Sequence, residues 1–114
     1  MATKSLYPKI LLPINGEQHF VRKEEIAFLE AKGSYTDVYL GDGRQTRISK
    51  KLKSAMEILG TEWFVRIHHS YSVNLSFVES LRNGENASIQ LSNGMTLPLS
   101  RSRKAAFLKF FQRL

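Results

Sequence analysis

The chain has 114 residues, of which 42% are hydrophobic, and this composition suits one folded domain and excludes a disordered chain. It has no cysteine, which excludes disulfides and thiolate metal sites, and its apolar runs fall well short of the ~20 residues that span a bilayer. Seventeen Lys and Arg against ten Asp and Glu give a net charge of +7, so the protein favours polyanionic partners unless the charge serves only solubility. Because the start also lacks the apolar centre of a signal peptide, we expect a cytoplasmic protein.

The first half of the chain predicts a series of β-hairpins that follows a polar lead-in over residues 1–9. Asn15-Gly16 and Asp42-Gly43 are turn pairs that favour two-residue hairpin loops. Ile26–Lys32 fits a strand or a helix by periodicity alone, and we interpret it as a strand because Gly33-Ser34 separates it from a strongly strand-like segment. The predicted strands are residues 9–15, Gln18–Val21, Ile26–Lys32, Tyr35–Leu40 and Arg44–Ile48.

Lys50–Leu59 has the spacing of an amphipathic helix, with apolar residues at the i, i+3, i+4 and i+7 positions. Ser49 can cap its start, and Gly60 stands where a C-terminal glycine belongs. The first turn of this helix is crowded with lysines, which the helix macrodipole disfavours by roughly 0.3–1 kcal/mol each at low salt. A bound anion would offset that cost, and screening by solvent would also reduce it.

The second half of the chain begins with Glu62–Ser76, in which two short strands are joined through His68, His69 and Ser70. Further Asn-Gly turns separate predicted strands at Phe77–Arg82, Ala87–Leu91 and Met95–Leu99. The C-terminal segment predicts a short helix that packs on the sheets through Phe107, Phe110, Phe111 and Leu114. The sequence therefore predicts a mainly β fold of small, mostly antiparallel sheets with one short amphipathic helix and a short C-terminal helix.

The sequence gives little support to catalysis or metal binding. No segment matches HExxH or the glycine-rich phosphate loops GxxxxGK[ST] and GxGxxG, and a cysteine nucleophile is impossible. His68 and His69 are adjacent, but neighbouring strand residues point to opposite faces, so the two side chains would not chelate one metal. We therefore predict a protein that is not an enzyme and holds no metal or cofactor. Metal-assisted hydrolysis through these two histidines is kept as a minor alternative.

Basic residues are separated from acidic ones along the sequence, which indicates a positive face suited to a phosphate backbone. No acid interrupts the basic block of residues 44–53, and none follows Leu99. The helices do not form a helix-turn-helix pair, so loops or strands would have to read DNA bases. The alternative is a protein-interaction or signalling module that binds an acidic partner, with a docking surface made of Phe107, Phe110 and Phe111.

Three motifs stand in order along the chain: IAFLEAKGSYTDVYLGDG from Ile26, FVRIHHSYSVN from Phe64 and LSNGMTLPLSRSRK from Leu91. Together they resemble the LytTR (LytR/AgrA-type) DNA-binding domain of bacterial transcription regulators. The similarity assigns residues 10–114 to one such domain.

The resemblance implies an elongated arrangement of three small sheets that binds double-stranded DNA through loops and bends it. Members of the family usually recognise direct-repeat promoter elements, often with two domains per site, so a dimer on DNA is expected. Many members carry a receiver domain or membrane segments. This chain would then be the output domain of a response regulator in a two-component system, or a small stand-alone regulator.

The same resemblance implies that three loops face the DNA. Arg101 matches a base-reading arginine, and a bidentate contact to guanine is the ordinary role of arginine in the major groove. His69 falls at the variable reading position of the second loop. Tyr35 and Thr36 are the candidates for base contacts at the first loop.

The remaining motif residues have supporting roles by the same resemblance. His68 and Asn74 are expected to brace the loop by bonding to backbone groups. The expected phosphate contacts are Lys32, Ser34, Lys50, Lys51, Arg66, Ser70, Arg103 and Lys104.

Overall fold

The computed structural model describes residues 8–114, so residues 1–7 of the predicted lead-in lie outside the described part. The strands of this part are β1 (Lys9–Ile14), β2 (Glu17–Arg22), β3 (Ile26–Lys32), β4 (Tyr35–Leu40), β5 (Gln45–Ile48), β6 (Phe64–His68), β7 (Tyr71–Asn74), β8 (Val78–Arg82), β9 (Ser88–Leu91) and β10 (Thr96–Pro98). The helices are α1 (Leu52–Leu59) and α2 (Arg101–Leu108). Ile26–Lys32 is therefore a strand, as predicted.

The strands form three antiparallel sheets, which confirms the predicted fold class. A two-stranded sheet contains β1 and β2, and a three-stranded sheet has the order β10-β9-β8. The other strands form a central sheet in the order β5-β4-β3-β7-β6. The molecule measures 42 × 34 × 25 Å and is elongated, as the resemblance implied.

Two hydrophobic cores lie on opposite faces of the central sheet, because successive residues of a strand point to opposite sides. In β4, Val38 and Leu40 belong to the first core, whereas Tyr39 packs against the second. The β1–β2 hairpin and α1 cover the first core, and the three-stranded sheet and α2 cover the second. Each helix is thereby fixed against the central sheet.

Turn chemistry explains how the hairpins form. Asn15 (φ 51°) and Gly16 (φ 81°) both adopt left-handed conformations, as a type I′ turn requires. Gly33 (φ 63°) takes the first central position of a two-residue turn closed by the pair Lys32 and Tyr35. A positive φ at that position without one at Ser34 belongs to the type II′ turn, where glycine is favoured.

The start of α1 differs from the prediction. The helix begins at Leu52, and its N-cap is Lys51 instead of Ser49. Of the lysines predicted for the first turn, Lys50, Lys51 and Lys53, only Lys53 therefore lies in it. Gly60 (φ 83°) follows the last turn, as predicted, and its N–H donates to the Met56 carbonyl at 2.8 Å.

The C-terminal helix is shorter than its apolar periodicity indicates. α2 ends at Leu108, and of the aromatic side chains predicted to pack on the sheets only Phe107 is buried, at 2% exposure. Phe110 is 48% exposed and Phe111 is 41% exposed, so their predicted burial is wrong. Leu114 is fully exposed as well. The reason is that a helix of eight residues is too short to carry these side chains onto the sheet.

Candidate nucleic-acid interface

Polar segments meet at one end of the central sheet because its strands are antiparallel. The β3–β4 and β6–β7 turns both lie at this end, where the N–H of Ala31 donates to the Ser70 carbonyl at 2.8 Å. Residues 49–51 follow β5 at the same end, since Ile48 pairs with Thr36 beside the first turn. Three chain segments distant in sequence are thus adjacent in space.

The start of α2 lies beside these three segments, at the same end of the central sheet. The N–H of Ser100 donates to the Ile67 carbonyl at 2.8 Å, on the edge of β6 opposite to β7. Ser100 is thereby placed one strand position beyond β6, next to the β6–β7 turn. We call this surface the loop end and define it as residues 32–35, 49–51, 68–70 and 100–104.

Neighbouring side chains bind the backbone of the β6–β7 turn. Arg66 Nε donates to the His68 carbonyl at 3.1 Å, and Arg66 Nη2 donates to the His69 carbonyl. The N–H of Ser70 donates to Nδ1 of His68 at 3.1 Å, and the Ser70 carbonyl accepts from Ala31. Arg66, which the sequence assigned to phosphate contact, therefore also holds the turn together with His68.

A second cation lies near Arg66. Burial lowers the pKa of the Arg66 guanidinium, and the positive charge of Arg103 lowers it further. Arginine nevertheless keeps its charge in proteins. Two cations held close together repel each other, and an anion bound between or beside them would relieve that repulsion.

The two histidine rings lie close together in an edge-on arrangement, with their centroids 5.8 Å apart and their planes at 66°. The prediction that they point to opposite faces is wrong, because β6 ends at His68 and His69 already belongs to the turn. His68 is half-buried and its ring lies 5.9 Å from that of Tyr71. His69 is exposed at the loop end.

At the β3–β4 turn, Lys32, Ser34 and Tyr35 are exposed, and Tyr35 keeps 48% of its surface open. Thr36 is fully buried, and its Oγ1 donates to the Lys50 carbonyl at 2.7 Å. The prediction that Thr36 contacts a base is therefore wrong, since its hydroxyl is bound inside the protein. The bond instead anchors the chain segment that follows β5.

Both helices direct their N-termini to the loop end. Lys51 is the N-cap of α1 and Ser100 is the N-cap of α2, and neither side chain accepts a bond from the first-turn N–H groups. Neither first turn contains an acid, and that of α2 carries Arg101, Arg103 and Lys104. In α2 the N–H of Arg103 donates to the Ser100 carbonyl at 3.1 Å. First-turn N–H groups that have no such partner bind anions such as phosphate at the positive end of a helix dipole.

Acidic side chains next to the loop end are paired with bases. The carboxylate of Asp37 accepts from Arg47 Nε at 2.7 Å and from Arg47 Nη2 at 3.2 Å across neighbouring strands. This hydrogen bond with Arg47 lowers the pKa of Asp37, although burial acts in the opposite direction. Glu30 pairs with Lys32 at 3.3 Å. The surface therefore presents cations and few free negative charges.

We expect the pair of Asp37 and Arg47 to make the stability of the protein depend on pH in the acid range. The pKa of Asp37 is lowered in the folded chain from an unfolded value of about 3.9, so the pair stabilises the fold fully above that value. This stabilisation is lost as the pH falls through the folded pKa. In urea unfolding, the difference in stability between the wild type and Asp37→Asn should shrink below about pH 4. A difference that does not change with pH would contradict this role.

Asn74 lies at the end of β7 that is remote from the β6–β7 turn, so the prediction that it braces the reading loop is wrong. Asn74 is fully buried, and its Nδ2 donates to the Ile26 carbonyl at 2.9 Å. Its Oδ1 accepts from the N–H of Ser76, also at 2.9 Å. These bonds join β7 to the start of β3 and stabilise the opposite end of the sheet.

The sequence patterns did not indicate a role for Glu30. Its carboxylate accepts from the hydroxyl of Tyr39 at 3.2 Å and from that of Tyr71 at 3.1 Å, in addition to its ion pair with Lys32. One signal was available: Glu30 directly follows four apolar residues in a predicted strand. The tyrosines that contact it lie on β4 and β7, which only the strand order of the fold brings next to β3.

Other kinds of site have less support. Residues 8–114 contain no group of three His, Asp or Glu side chains that could hold a metal ion. Neither α1 nor α2 has the length and apolar character needed to cross a membrane. A cavity of about 700 Å³ between β1, α1 and the central sheet has mainly apolar walls from the first core and is also lined by Tyr35 and Lys50.

Comparison with known proteins agrees with the geometry. Residues 16–112 match the family model of the LytTr DNA-binding domain. A solved LytTr DNA-binding domain from Bacillus cereus has a TM-score of 0.79 and 22% sequence identity, over 90% of this chain and 95% of that one, which shows a shared fold. No curated protein matches the chain. Because the family model spans most of its length, the chain belongs to the LytTR family of DNA-binding domains.

Proposed function

We propose that the protein binds specific sequences of double-stranded DNA through the loop end and so regulates transcription. The observation that carries this proposal is the meeting of two turns, a basic segment and both helix N-termini on one surface. Five inter-strand distances of about 4.8 Å separate β5 from Ser100, so the loop end is about 24 Å long. A surface of this length reaches the phosphates on both sides of a major groove, which is about 12 Å wide.

In this proposal, base contacts come from Arg101, His69 and Tyr35, which are all exposed at the loop end. Arg101 is the best suited, because a guanidinium can donate two bonds to O6 and N7 of guanine. The phosphate contacts come from the N–H groups of the helix N-termini and from Lys32, Ser34, Lys50, Lys51, Arg66, Ser70, Arg103 and Lys104.

The test is a selection of bound fragments from random duplex DNA, followed by titration of the selected site and a scrambled duplex at two salt concentrations. We expect tighter binding to the selected site and weaker binding to both duplexes at higher salt. Equal affinity for the two duplexes would refute sequence-specific binding. An absence of binding at low salt would refute DNA binding altogether.

Lys51→Ala should weaken binding to all DNA sequences alike, because an ammonium that contacts phosphate carries no sequence information. Loss of one such contact should reduce the slope of log affinity against log salt by about one unit. Lys23→Ala is the control for total charge. Lys23 lies near the opposite end of β3, where its Nζ donates to the Leu59 carbonyl at 3.4 Å, and its loss should leave the slope unchanged. A loss confined to the selected site would contradict the phosphate role of Lys51.

The family supports finer proposals about how the domain is used. We infer that two copies bind direct repeats in a promoter and that the DNA bends around the loops. The protein would act in the bacterial cytoplasm, either as the output domain of a response regulator or as a stand-alone regulator. This activity requires no cofactor, no small-molecule substrate and no catalytic step.

A second candidate function, binding to an acidic protein, is favoured by the exposure of Phe110 and Phe111 next to Lys109. Phe107, the third residue of the predicted docking surface, is buried and does not take part. The low-salt DNA titration separates the two functions, because a protein-interaction module need not bind random DNA.

A further inference from the structure

Glu30 is an acid fixed beneath the cationic loop end. It lies on β3 two residues before the strand ends at Lys32, and its side chain is 19% exposed. Its Oε1 accepts from the Tyr39 hydroxyl at 3.2 Å, and its Oε2 accepts from the Tyr71 hydroxyl at 3.1 Å and pairs with Lys32 at 3.3 Å. Burial raises the pKa of both tyrosines, and the charge of Glu30 raises it further, so both hydroxyls remain donors at neutral pH.

The Glu30 carboxylate connects the two turns proposed to read DNA, which are the β3–β4 turn (the first turn) and the β6–β7 turn (the second turn). Lys32 precedes the first turn directly, and Tyr71 follows the second turn directly. The Tyr71 ring lies 5.9 Å from that of His68, which in turn lies 5.8 Å from the ring of His69. A continuous set of contacts therefore joins Lys32 to His69 through Glu30 and Tyr71.

By charge alone, an acid at this place disfavours DNA binding. Glu30 is about 7 Å from Lys32 along β3, given about 3.4 Å per strand residue, so its charge lies within the Debye length of about 10 Å from this cation. If the carboxylate contributed only its charge, its removal would strengthen binding to every DNA sequence. Glu30, however, also makes three bonds to neighbouring side chains.

We propose that Glu30 is a positioning residue for sequence-specific binding. It holds Lys32 and, through Tyr71, the turn of His68 and His69 in the relative position that a specific DNA site requires. This inference rests on the proposed function and adds to it a residue that does not touch DNA. It predicts that selected and random DNA respond differently to the loss of the carboxylate.

The deciding experiment measures Glu30→Gln by fluorescence anisotropy on the selected site and on a scrambled duplex. Binding to the selected site should weaken about tenfold, the size of one hydrogen bond to a charged group. Binding to the scrambled duplex should strengthen about twofold at low salt, because a negative charge is removed and Lys32 is released. Stronger binding to both duplexes would show a purely electrostatic role, and weaker binding to both would show a general loss of structure; either result overturns the inference.

Two tyrosine variants test the route of the effect. Tyr71→Phe removes the hydroxyl that links Glu30 to the second turn, whereas Tyr39→Phe removes the matched hydroxyl of a ring that stacks on Phe28 in the second core. We expect Tyr71→Phe to weaken specific binding more than Tyr39→Phe does. The double variant with Glu30→Gln and Tyr71→Phe should lose no more affinity for the selected site than the single variant that binds it more weakly. Equal losses from the two tyrosine variants would overturn the proposed route.

Glu79→Gln controls for total charge, because Glu79 is an exposed acid on β8. It should leave the preference for the selected site unchanged. The wild type is titrated in the same series, so failure of the proposed function and failure of this inference give different results. Wild-type protein without a preferred site would refute the former, and a preference that survives Glu30→Gln would refute the latter.

Discussion

Arg101→Ala is expected to weaken binding to the selected DNA site by about 1–3 kcal/mol, roughly 5- to 150-fold, and to relax the choice of base at one position. The guanidinium is exposed at the first position of α2, and the bond between Ser100 and Ile67 fixes the backbone beside it. Because this backbone is fixed, the strength of a base contact from Arg101 should depend strongly on which base pair lies opposite it. Titration of the selected site and of its single-base variants measures both effects.

The control for this variant is Arg22→Ala. Arg22 ends β2 near the start of β3, remote from the loop end, and its loss removes the same charge. It should leave base preference unchanged and affect total affinity only slightly. Equal losses on selected and scrambled DNA for Arg101→Ala would show that Arg101 contacts phosphate and does not read a base.

Phe107→Ala should lower the free energy of unfolding by about 3–5 kcal/mol, the usual effect of truncating a buried phenylalanine. Phe107 is 2% exposed and belongs to the second core together with Phe28 and Ile67. It is the buried residue of α2, so its loss should also loosen the helix that carries Arg101. Urea unfolding measures the stability, and binding to the selected site should fall as well.

Phe110→Ala is the matched control, because it truncates the same side chain at a position that is 48% exposed. Its effect on the free energy of unfolding should stay within about 0.5 kcal/mol. If the two variants were equally destabilising, the C-terminal aromatic face would be buried as a whole, and α2 would not end where the structure places its end.

The hairpins could be predicted from the sequence because their signals are local. Asn15-Gly16 selects a turn through the backbone conformations that these two residues tolerate, whatever the rest of the chain does. Alternating apolar residues then identify the flanking strands. The order of the strands within the central sheet depends on contacts distant in sequence, and neither the local patterns nor the family resemblance predicted it.

Roles within the site were harder to predict, because they depend on which face of a strand is covered. Thr36 stands next to Tyr35, yet one is buried and the other exposed. The hydrogen-bond partner of Thr36, the Lys50 carbonyl, lies 14 residues later in the chain. Asn74 likewise bonds to Ile26, 48 residues earlier. Periodicity identifies faces, but it does not identify the chain segment that covers each face.

The reading turns are as short as antiparallel hairpins commonly allow, with Gly33-Ser34 in one and His69-Ser70 in the other. A change of loop length would shift the register of the strands and turn their side chains to the wrong face. New target sequences would therefore have to arise by exchange of single side chains on an unchanged backbone. For engineering, this makes the domain suited to small libraries randomised at Tyr35, His69 and Arg101, and it makes insertions a poor route to new specificity.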